Sequence, residues 1–202
     1  MCRVGANGYD AAYSFGAYED ELRALIHLLK YGKVQTLAKP LGKFLAQALP
    51  RDQRFDVIVP MPMHWRRRWQ RGFNQAELLA LELGRRTGIT VRNPMRRKHQ
   101  KTAQAGLTHA KRRANVEGAF GFKKRRDLQG KRVLLIDDVL TTGATAGSCA
   151  RAMKRAGAAH VALLTVARVD RRVAAAGLKN PELFPESTVS GSFEHAKSGS
   201  FA

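Results

Sequence analysis

The chain is poor in cysteine and contains no long apolar segment. Its 202 residues include two cysteines, Cys2 and Cys149. Cys149 lies in a segment of helical composition, where a small buried hydrophobe is a more typical role than a nucleophile. No run approaches the ~20 apolar residues that a membrane-spanning helix requires, and the first residues lack the basic-then-apolar pattern of a secretion signal. We therefore expect no membrane insertion and a cytoplasmic location.

Acidic residues are also scarce. The chain carries 36 lysines and arginines against 16 aspartates and glutamates, a net charge of +20. The imbalance is concentrated between His64 and Arg132, where 20 basic residues against 4 acidic ones leave a net +16. A field of this strength attracts polyanions, either a nucleic acid or a ligand that carries pyrophosphate. A solvated, arginine-rich surface is the alternative explanation for part of the excess.

What is present is the composition of a globular protein, with 44% hydrophobic and 26% charged residues. The length suits one well-cored domain with appendages and is too short for two domains of normal size. Helical spacing or composition predicts helices over residues 19–31, 37–49, 75–87 and 144–156. Short apolar runs predict strands over 56–60, 89–91, 119–122, 133–136 and 161–166, and residues 9–18 alternate enough for strands or a hairpin.

This order of elements predicts an α/β fold with a mostly parallel, doubly wound sheet flanked by helices. Residues 1–50 are expected to form a small N-terminal cap, with two helices and any strands of residues 9–18. Residues 51–176 would form the core. Residues 177–202 contain Ser-Gly-Ser-Phe twice and are expected to be a disordered tail.

The most informative segment is residues 133–145, in which an apolar run is followed by Asp137 and Asp138 and then by a turn rich in hydroxyls and glycine. Ligands of open α/β sheets bind at the carboxyl ends of the strands, where these carboxylates should emerge. The turn precedes a predicted helix, whose free N–H groups and dipole suit a phosphate. This phosphate turn consists of Thr141, Thr142, Gly143, Ala144 and Thr145. The carboxylates would repel a phosphate, but they can accept hydrogen bonds from ribose hydroxyls. A plain strand end with an N-cap turn is the simpler alternative.

A second polar segment, residues 59–76, follows the first predicted core strand and should open onto the same edge of the sheet. Its arginines can neutralise a pyrophosphate or bind a nucleic-acid backbone through paired hydrogen bonds. They are Arg66, Arg67, Arg68 and Arg71. Trp65 and Trp69 can stack on bases, although tryptophans are more often packing residues. His64 has no acidic or second ligand-type neighbour, which favours a hydrogen-bonding role over metal ligation.

A third segment, residues 102–120, is long, polar and basic, and it lies between two predicted strands. Such a segment is a candidate for a lid that closes over a bound diphosphate and excludes water. The residues assigned to this lid are Gln104, Lys111, Arg112, Arg113 and Asn115. An exposed amphipathic helix without a ligand is the alternative.

Residues 133–145 resemble the phosphoribosyl pyrophosphate (PRPP) signature of the type I phosphoribosyltransferases over all thirteen positions. In that family the two acids hold the ribose 2′ and 3′ hydroxyls, and the following loop holds the 5′-phosphate. The resemblance therefore implies Asp137 and Asp138 as ribose ligands and residues 141–145 as the 5′-phosphate site.

Two further elements, Arg-Gly-Phe-Asn-Gln-Ala at 71–76 and the pattern Gln104, Leu107, Arg112, Asn115, Phe120, resemble the ComF family of bacterial DNA-uptake proteins. This resemblance covers about residues 10–170. It implies a type I phosphoribosyltransferase fold that binds PRPP, or a related phosphorylated ribose, with Mg²⁺. The metal would be held through the ligand, with Asp137 and Asp138 as further candidates. It also implies a role in the uptake of single-stranded DNA, with a DNA-uptake helicase as a partner.

The resemblance leaves the zinc site, the catalytic residue and the function to be considered. Many ComF members carry an N-terminal zinc-binding cysteine cluster, but this chain has only Cys2 before its first helix, so we expect no zinc. No residue stands out as a general base, and the sequence does not identify an acceptor. An ordinary metabolic phosphoribosyltransferase with no DNA role is the main alternative, and an interaction module with a vestigial site is a third.

Overall fold

The computed structural model describes residues 8–97, 120–122 and 128–169. The strands of this part of the chain are β1 (Ala11–Ala17), β2 (Val57–Pro60), β3 (Met95–Arg97), β4 (Phe120–Phe122), β5 (Arg132–Leu140) and β6 (His160–Arg168). The α-helices are α1 (Asp20–Lys30), α2 (Ala38–Ala48), α3 (Trp65–Arg71), α4 (Gln75–Thr87) and α5 (Ala144–Arg155). A short 3-10 helix, Gln35–Leu37, precedes α2. The predicted lid residues and the predicted tail lie outside the described residues.

Four strands form the main sheet, in the order β1-β6-β5-β2. Every pairing in it is parallel, as the alternating β/α order predicted. β3 and β4 pair antiparallel in a separate two-stranded sheet. The strand predicted at 119–122 therefore exists but does not join the parallel sheet, and the strand predicted at 89–91 is reduced to a bridge between Val91 and Ile58.

Both faces of the main sheet are covered, which explains why its central strands are apolar without alternation. One face packs on α5 and the small sheet, through Val59, Val133, Leu135, Leu163, Met95, Phe120, Cys149 and Met153. The other packs on α1, α2 and α4, through Ile58, Leu134, Ile136, Leu164, Ile26, Leu29, Leu41, Leu45, Leu79 and Leu83. Cys149 is fully buried, as the sequence suggested, and burial raises the pKa of its thiol. The predicted sheet with helices on both faces is confirmed.

The N-terminal segment contributes directly to this sheet. Residues 9–18 hold one strand, β1, which pairs in parallel with β6, so the alternative of a hairpin was wrong. α1 and α2 then cover one face, and Pro40 lies in the first turn of α2, where it is tolerated. The first fifty residues therefore supply an edge strand as well as the two expected helices.

The helices differ in how well they could be predicted from their sequences. α4 spans the predicted residues, with Asn74 as its N-cap and Gly88 in a left-handed conformation at its end. α3 was not predicted: no helix was assigned between the strand expected at 56–60 and the helix expected at 75–87. None of the residues of α3 is buried, and its two apolar side chains, Trp65 and Trp69, are too few for the sequence pattern to predict a helix. Within the described ranges, no helix has the length and apolar character needed to span a membrane.

Candidate functional site

The two adjacent carboxylates lie on β5, beyond the end of its neighbour β2. The sequence placed the end of this strand at residue 136, but β5 continues to Leu140 because β6 pairs with it that far. β2 stops at Pro60, which pairs with Ile136. Asp137, which pairs with Thr165 of β6, and Asp138 therefore lie beyond the last residue of β5 that pairs with β2, at the carboxyl edge of the sheet.

A cleft of about 270 Å³ opens at this edge. We call it the ribose cleft. Among the described residues that line it are both carboxylates and all five residues of the predicted phosphate turn, Thr141, Thr142, Gly143, Ala144 and Thr145. The structure thus brings the predicted acid pair and the predicted phosphate turn into one cavity.

The phosphate turn leads directly into α5. Gly143 precedes this helix with φ 75°, a left-handed conformation that favours glycine. The side-chain oxygen of Thr142 accepts a hydrogen bond from the N–H of Ala144 at 3.4 Å. The other N–H groups of the first helical turn have no intrahelical acceptor, and the helix dipole makes this end positive. The turn can therefore hold an anion.

A lysine from the opposite end of the sequence reaches the acid pair. The Nζ atom of Lys30, the last residue of α1, lies 3.1 Å from Oδ1 of Asp138, and the two side chains are 15% and 6% exposed. Oδ2 of Asp138 is buried and has no hydrogen-bond partner among the described residues. No sequence pattern singled out Lys30, because a lysine in the last turn of a helix usually complements the dipole in solvent.

The surroundings of Asp137 disfavour its ionised form. Burial, and then the neighbouring charge of Asp138, raise the pKa of Asp137 to about 7. The N–H of Asp138, which donates to Oδ1 of Asp137 at 3.0 Å, opposes this rise, as do the charges of Lys30 and Arg97. Raised carboxyl pKa values of this kind are common at functional sites, where a ligand or a cation supplies the missing stabilisation.

Two of the four predicted arginines line the ribose cleft. Arg67 and Arg71 do so, one helical turn apart on α3, whereas Arg66 and Arg68 do not. Arg71 donates a hydrogen bond to Oε1 of Gln75 at 3.1 Å.

The other two arginines contact neighbours outside the cleft. Arg68 lies 3.6 Å from a carboxylate oxygen of Glu77, and the guanidinium of Arg66 lies 5.4 Å from the centre of the Trp65 ring. The structure therefore does not bring Arg66 and Arg68 to the acid pair.

Arg97, at the end of β3, is a further cation of the cleft that the sequence did not reveal. Burial and the nearby charge of Arg67 lower the pKa of Arg97. Two like charges near each other in a partly buried site favour the binding of an anion between them. A short strand in a basic segment offers no pattern that would single out this arginine.

The remaining predicted residues have mainly local roles. His64 caps α3 by accepting a hydrogen bond from the N–H of Arg66 at 3.3 Å, and it also lines the cleft. Asn74 caps α4 and donates to the carbonyl of Met61 at 3.1 Å, which fixes the loop after β2. Trp65 and Trp69 are 47% and 85% exposed, so neither is a core packing residue.

The two carboxylates of the cleft are oxygen ligands of the kind that Mg²⁺ takes. In residues 8–97, 120–122 and 128–169 there is no group of three or more His, Cys, Asp or Glu side chains that could enclose a metal. Mg²⁺ is commonly held by one or two carboxylates together with ligand phosphates and water. The unpartnered oxygen of Asp138 and the carboxylate of Asp137 match that requirement.

Comparison with known proteins agrees with this architecture. The family model described as phosphoribosyl transferase domain matches residues 40–180, which is more than two thirds of the chain. The protein has the type I phosphoribosyltransferase fold, with a parallel sheet whose carboxyl edge carries the acid pair and the predicted phosphate turn.

Two relatives show which family of phosphoribosyltransferase-domain proteins the chain belongs to. The chain is 29% identical over 175 residues to Competence protein F of Haemophilus influenzae, covering 83% of this chain and 76% of that protein. It is 32% identical over 158 residues to DNA utilization protein YhgH of Escherichia coli K12, covering 75% of this chain and 69% of that protein. The chain therefore belongs to the ComF family of proteins with a phosphoribosyltransferase domain.

Among solved structures, the chain is similar to the glutamine PRPP amidotransferase of B. subtilis, complexed with ADP and GMP. The TM-score is 0.49 at 23% identity, and the match covers 65% of this chain and 26% of that one. The chain thus spans about a quarter of the length of that enzyme.

Proposed function

We propose that the protein binds PRPP, or a related phosphorylated ribose, together with Mg²⁺. The observation that carries this proposal is the presence of the acid pair and the phosphate turn in one cleft. Asp137 and Asp138 would accept hydrogen bonds from the ribose hydroxyls, and residues 141–145 would hold the 5′-phosphate.

The cations of the cleft would bind the pyrophosphate group. Arg67, Arg71 and Arg97 are distant from the phosphate turn in sequence. All three nevertheless line the same cleft as the turn. Bound Mg²⁺, held by the carboxylates and the ligand oxygens, would neutralise part of the diphosphate charge. In a phosphoribosyl transfer the bond between ribose C1 and the pyrophosphate oxygen breaks as the acceptor attacks C1. The arginines would then stabilise the departing negative charge.

We also propose that this ligand site serves in the handling of single-stranded DNA during natural transformation. The names of the two relatives, in competence and in DNA utilization, support this role. So do the net +16 between His64 and Arg132 and the exposed Trp69 on α3, the helix that carries Arg67 and Arg71. In this role a DNA-uptake helicase would be the candidate protein partner.

Titration of the purified protein with PRPP and Mg²⁺ tests the ligand proposal. We expect saturable heat and a rise in Tm, since a ligand that binds only the folded state stabilises it. Comparing the affinities of ribose 5-phosphate and 2-deoxyribose 5-phosphate tests whether the acid pair binds the ribose hydroxyls. The deoxy sugar lacks one hydroxyl bonded to a charged acceptor and should bind about tenfold more weakly. Absence of both heat and thermal shift with millimolar PRPP would remove the assignment.

Deletion of the gene separates DNA uptake from metabolism, which is the main alternative. For an uptake protein we expect transformation by linear DNA to be abolished or sharply reduced, and growth without purines or pyrimidines to be unaffected. The physical reason is that a small ligand needs only a few cations, whereas a net +16 suits a long polyanion. A growth defect with normal transformation would instead identify a metabolic phosphoribosyltransferase.

A further inference from the structure

A second cleft, of about 390 Å³, opens beside the ribose cleft, between the end of α1 and the helix α3. The described residues that line it are Lys30, Tyr31, Lys33, Arg67, Gln70 and Arg71. Four of the six are cationic and none is acidic, so the electrostatic potential of this basic cleft favours a negatively charged ligand.

The cations of the basic cleft are mostly not neutralised by the protein. Lys30 pairs with Asp138, but Lys33, Arg67 and Arg71 form no ion pair with a carboxylate in the described ranges. The nearby Arg68 does have such a partner, Glu77. Cations that face one cavity without counter-ions repel each other, and an anionic ligand relieves that repulsion.

Aromatic surface lies next to these cations. The ring of Tyr31 is in the basic cleft, 60% of this residue is exposed, and the guanidinium of Arg71 lies 4.9 Å from the ring centre. Trp69, on α3 directly before Gln70, is 85% exposed. Phosphate-binding cations beside exposed rings are characteristic of surfaces that bind single strands, because the bases stack while the backbone is neutralised.

We infer that the basic cleft binds the backbone of single-stranded DNA and that this binding opposes the binding of PRPP. The inference rests on the proposed function. It adds where the DNA binds and that DNA and PRPP weaken each other's binding. Lys30, Tyr31, Arg67 and Arg71 line both clefts. A diphosphate that uses the two arginines in the ribose cleft removes them from the DNA, and its charge repels the strand.

The coupling is reciprocal by thermodynamic necessity. If PRPP lowers the affinity for DNA, DNA lowers the affinity for PRPP by the same factor. Each ligand would then weaken the binding of the other, and PRPP would promote release of the strand.

Two exposed cations allow a matched test of the DNA site. Lys33 lines the basic cleft only, and Arg66 lines neither cleft, so Lys33→Glu and Arg66→Glu make the same change in net charge at different places. Binding of a fluorescent 20-residue oligothymidylate is measured by anisotropy at fixed Mg²⁺. We expect Lys33→Glu to raise the Kd about tenfold and to reduce the log–log salt slope by about 0.7. Arg66→Glu should change the Kd less than about threefold, since its effect is only long-range and screened.

The opposition between PRPP and DNA binding is measured with the same oligonucleotide and the same anisotropy assay. We expect saturating PRPP to raise the Kd of the oligonucleotide about fivefold or more in the wild type. Arg67→Gln should weaken both ligands, because Arg67 lines both clefts, whereas Lys33→Glu should leave the Kd for PRPP within about twofold of the wild type.

Three results would overturn the inference. Equal losses in Lys33→Glu and Arg66→Glu would show a diffuse charge effect, and equal binding of polyglutamate would show that phosphodiester chemistry is not recognised. Unchanged DNA affinity in saturating PRPP would refute the antagonism. If PRPP does not bind the wild type at all, the proposed function and the antagonism fall together. The comparison of the two glutamate variants still decides whether the basic cleft binds DNA.

Discussion

Replacing Lys30 by methionine should lower the free energy of unfolding by about 3 kcal/mol, because it leaves the buried carboxylate of Asp138 without its counter-ion. Asp138 is 6% exposed, and its second oxygen already lacks a hydrogen-bond partner among the described residues. In a protein of this size the loss corresponds to a decrease in Tm of about 6–12 °C. Thermal and denaturant unfolding at pH 7 measure it.

A double mutant separates the charge from the packing of the lysine stem. Asp138→Asn alone should also destabilise the protein, since it leaves the ammonium of Lys30 in a mostly buried position. Combining Lys30→Met with Asp138→Asn removes both charges and should recover most of the lost stability. Additive losses in the double mutant would show that the ion pair is not the cause.

Replacing Asp137 by asparagine should have opposite effects on binding and on stability. The affinity for PRPP with Mg²⁺ should fall about tenfold to a hundredfold, because a charged acceptor of a ribose hydroxyl is lost. The free protein should become more stable by about 1–2 kcal/mol at pH 8, since the variant removes a partly buried charge that repels Asp138. Calorimetric titration and unfolding at several pH values measure the two effects.

The pH dependence fixes the sign of the stability effect. The pKa of Asp137 rises from an ordinary 3.8 to about 7 on folding, so the folded state binds more protons than the unfolded state between these values. The wild type therefore loses stability as the pH rises through this window. The advantage of Asp137→Asn should be absent near pH 4 and complete above pH 7. A variant that is less stable than the wild type at pH 8 would mean that Asp137 has a structural role.

The acid pair and the phosphate turn could be predicted because they are contiguous in sequence. Residues 133–145 hold a strand, two acids and a helix start in order, and local propensity determines that arrangement. The end of the strand could not be predicted in the same way. β5 continues past Ile136 because β6 pairs with it, and a pairing between distant segments leaves no mark in the local sequence.

The cations of the site also could not be assigned from the local sequence. Lys30 is more than a hundred residues from Asp138, and only the packing of α1 on the sheet brings them together. The arginines of α3 were treated as one cluster because the helix itself was not recognised. Successive helical residues are rotated by about 100°, so Arg67 and Arg71 share a face that Arg66 and Arg68 do not.

The ion pair between Lys30 and Asp138 also bears on how this protein can be divided or recombined. A chimaera that takes the first fifty residues from one relative and the remainder from another would exchange a residue of the ribose cleft along with an edge strand. A fragment that begins at residue 51 would keep the PRPP signature but lack the ammonium that neutralises Asp138 and the strand that covers β6. The N-terminal helices and the ligand site thus form a single structural unit, although the PRPP signature lies elsewhere in the chain.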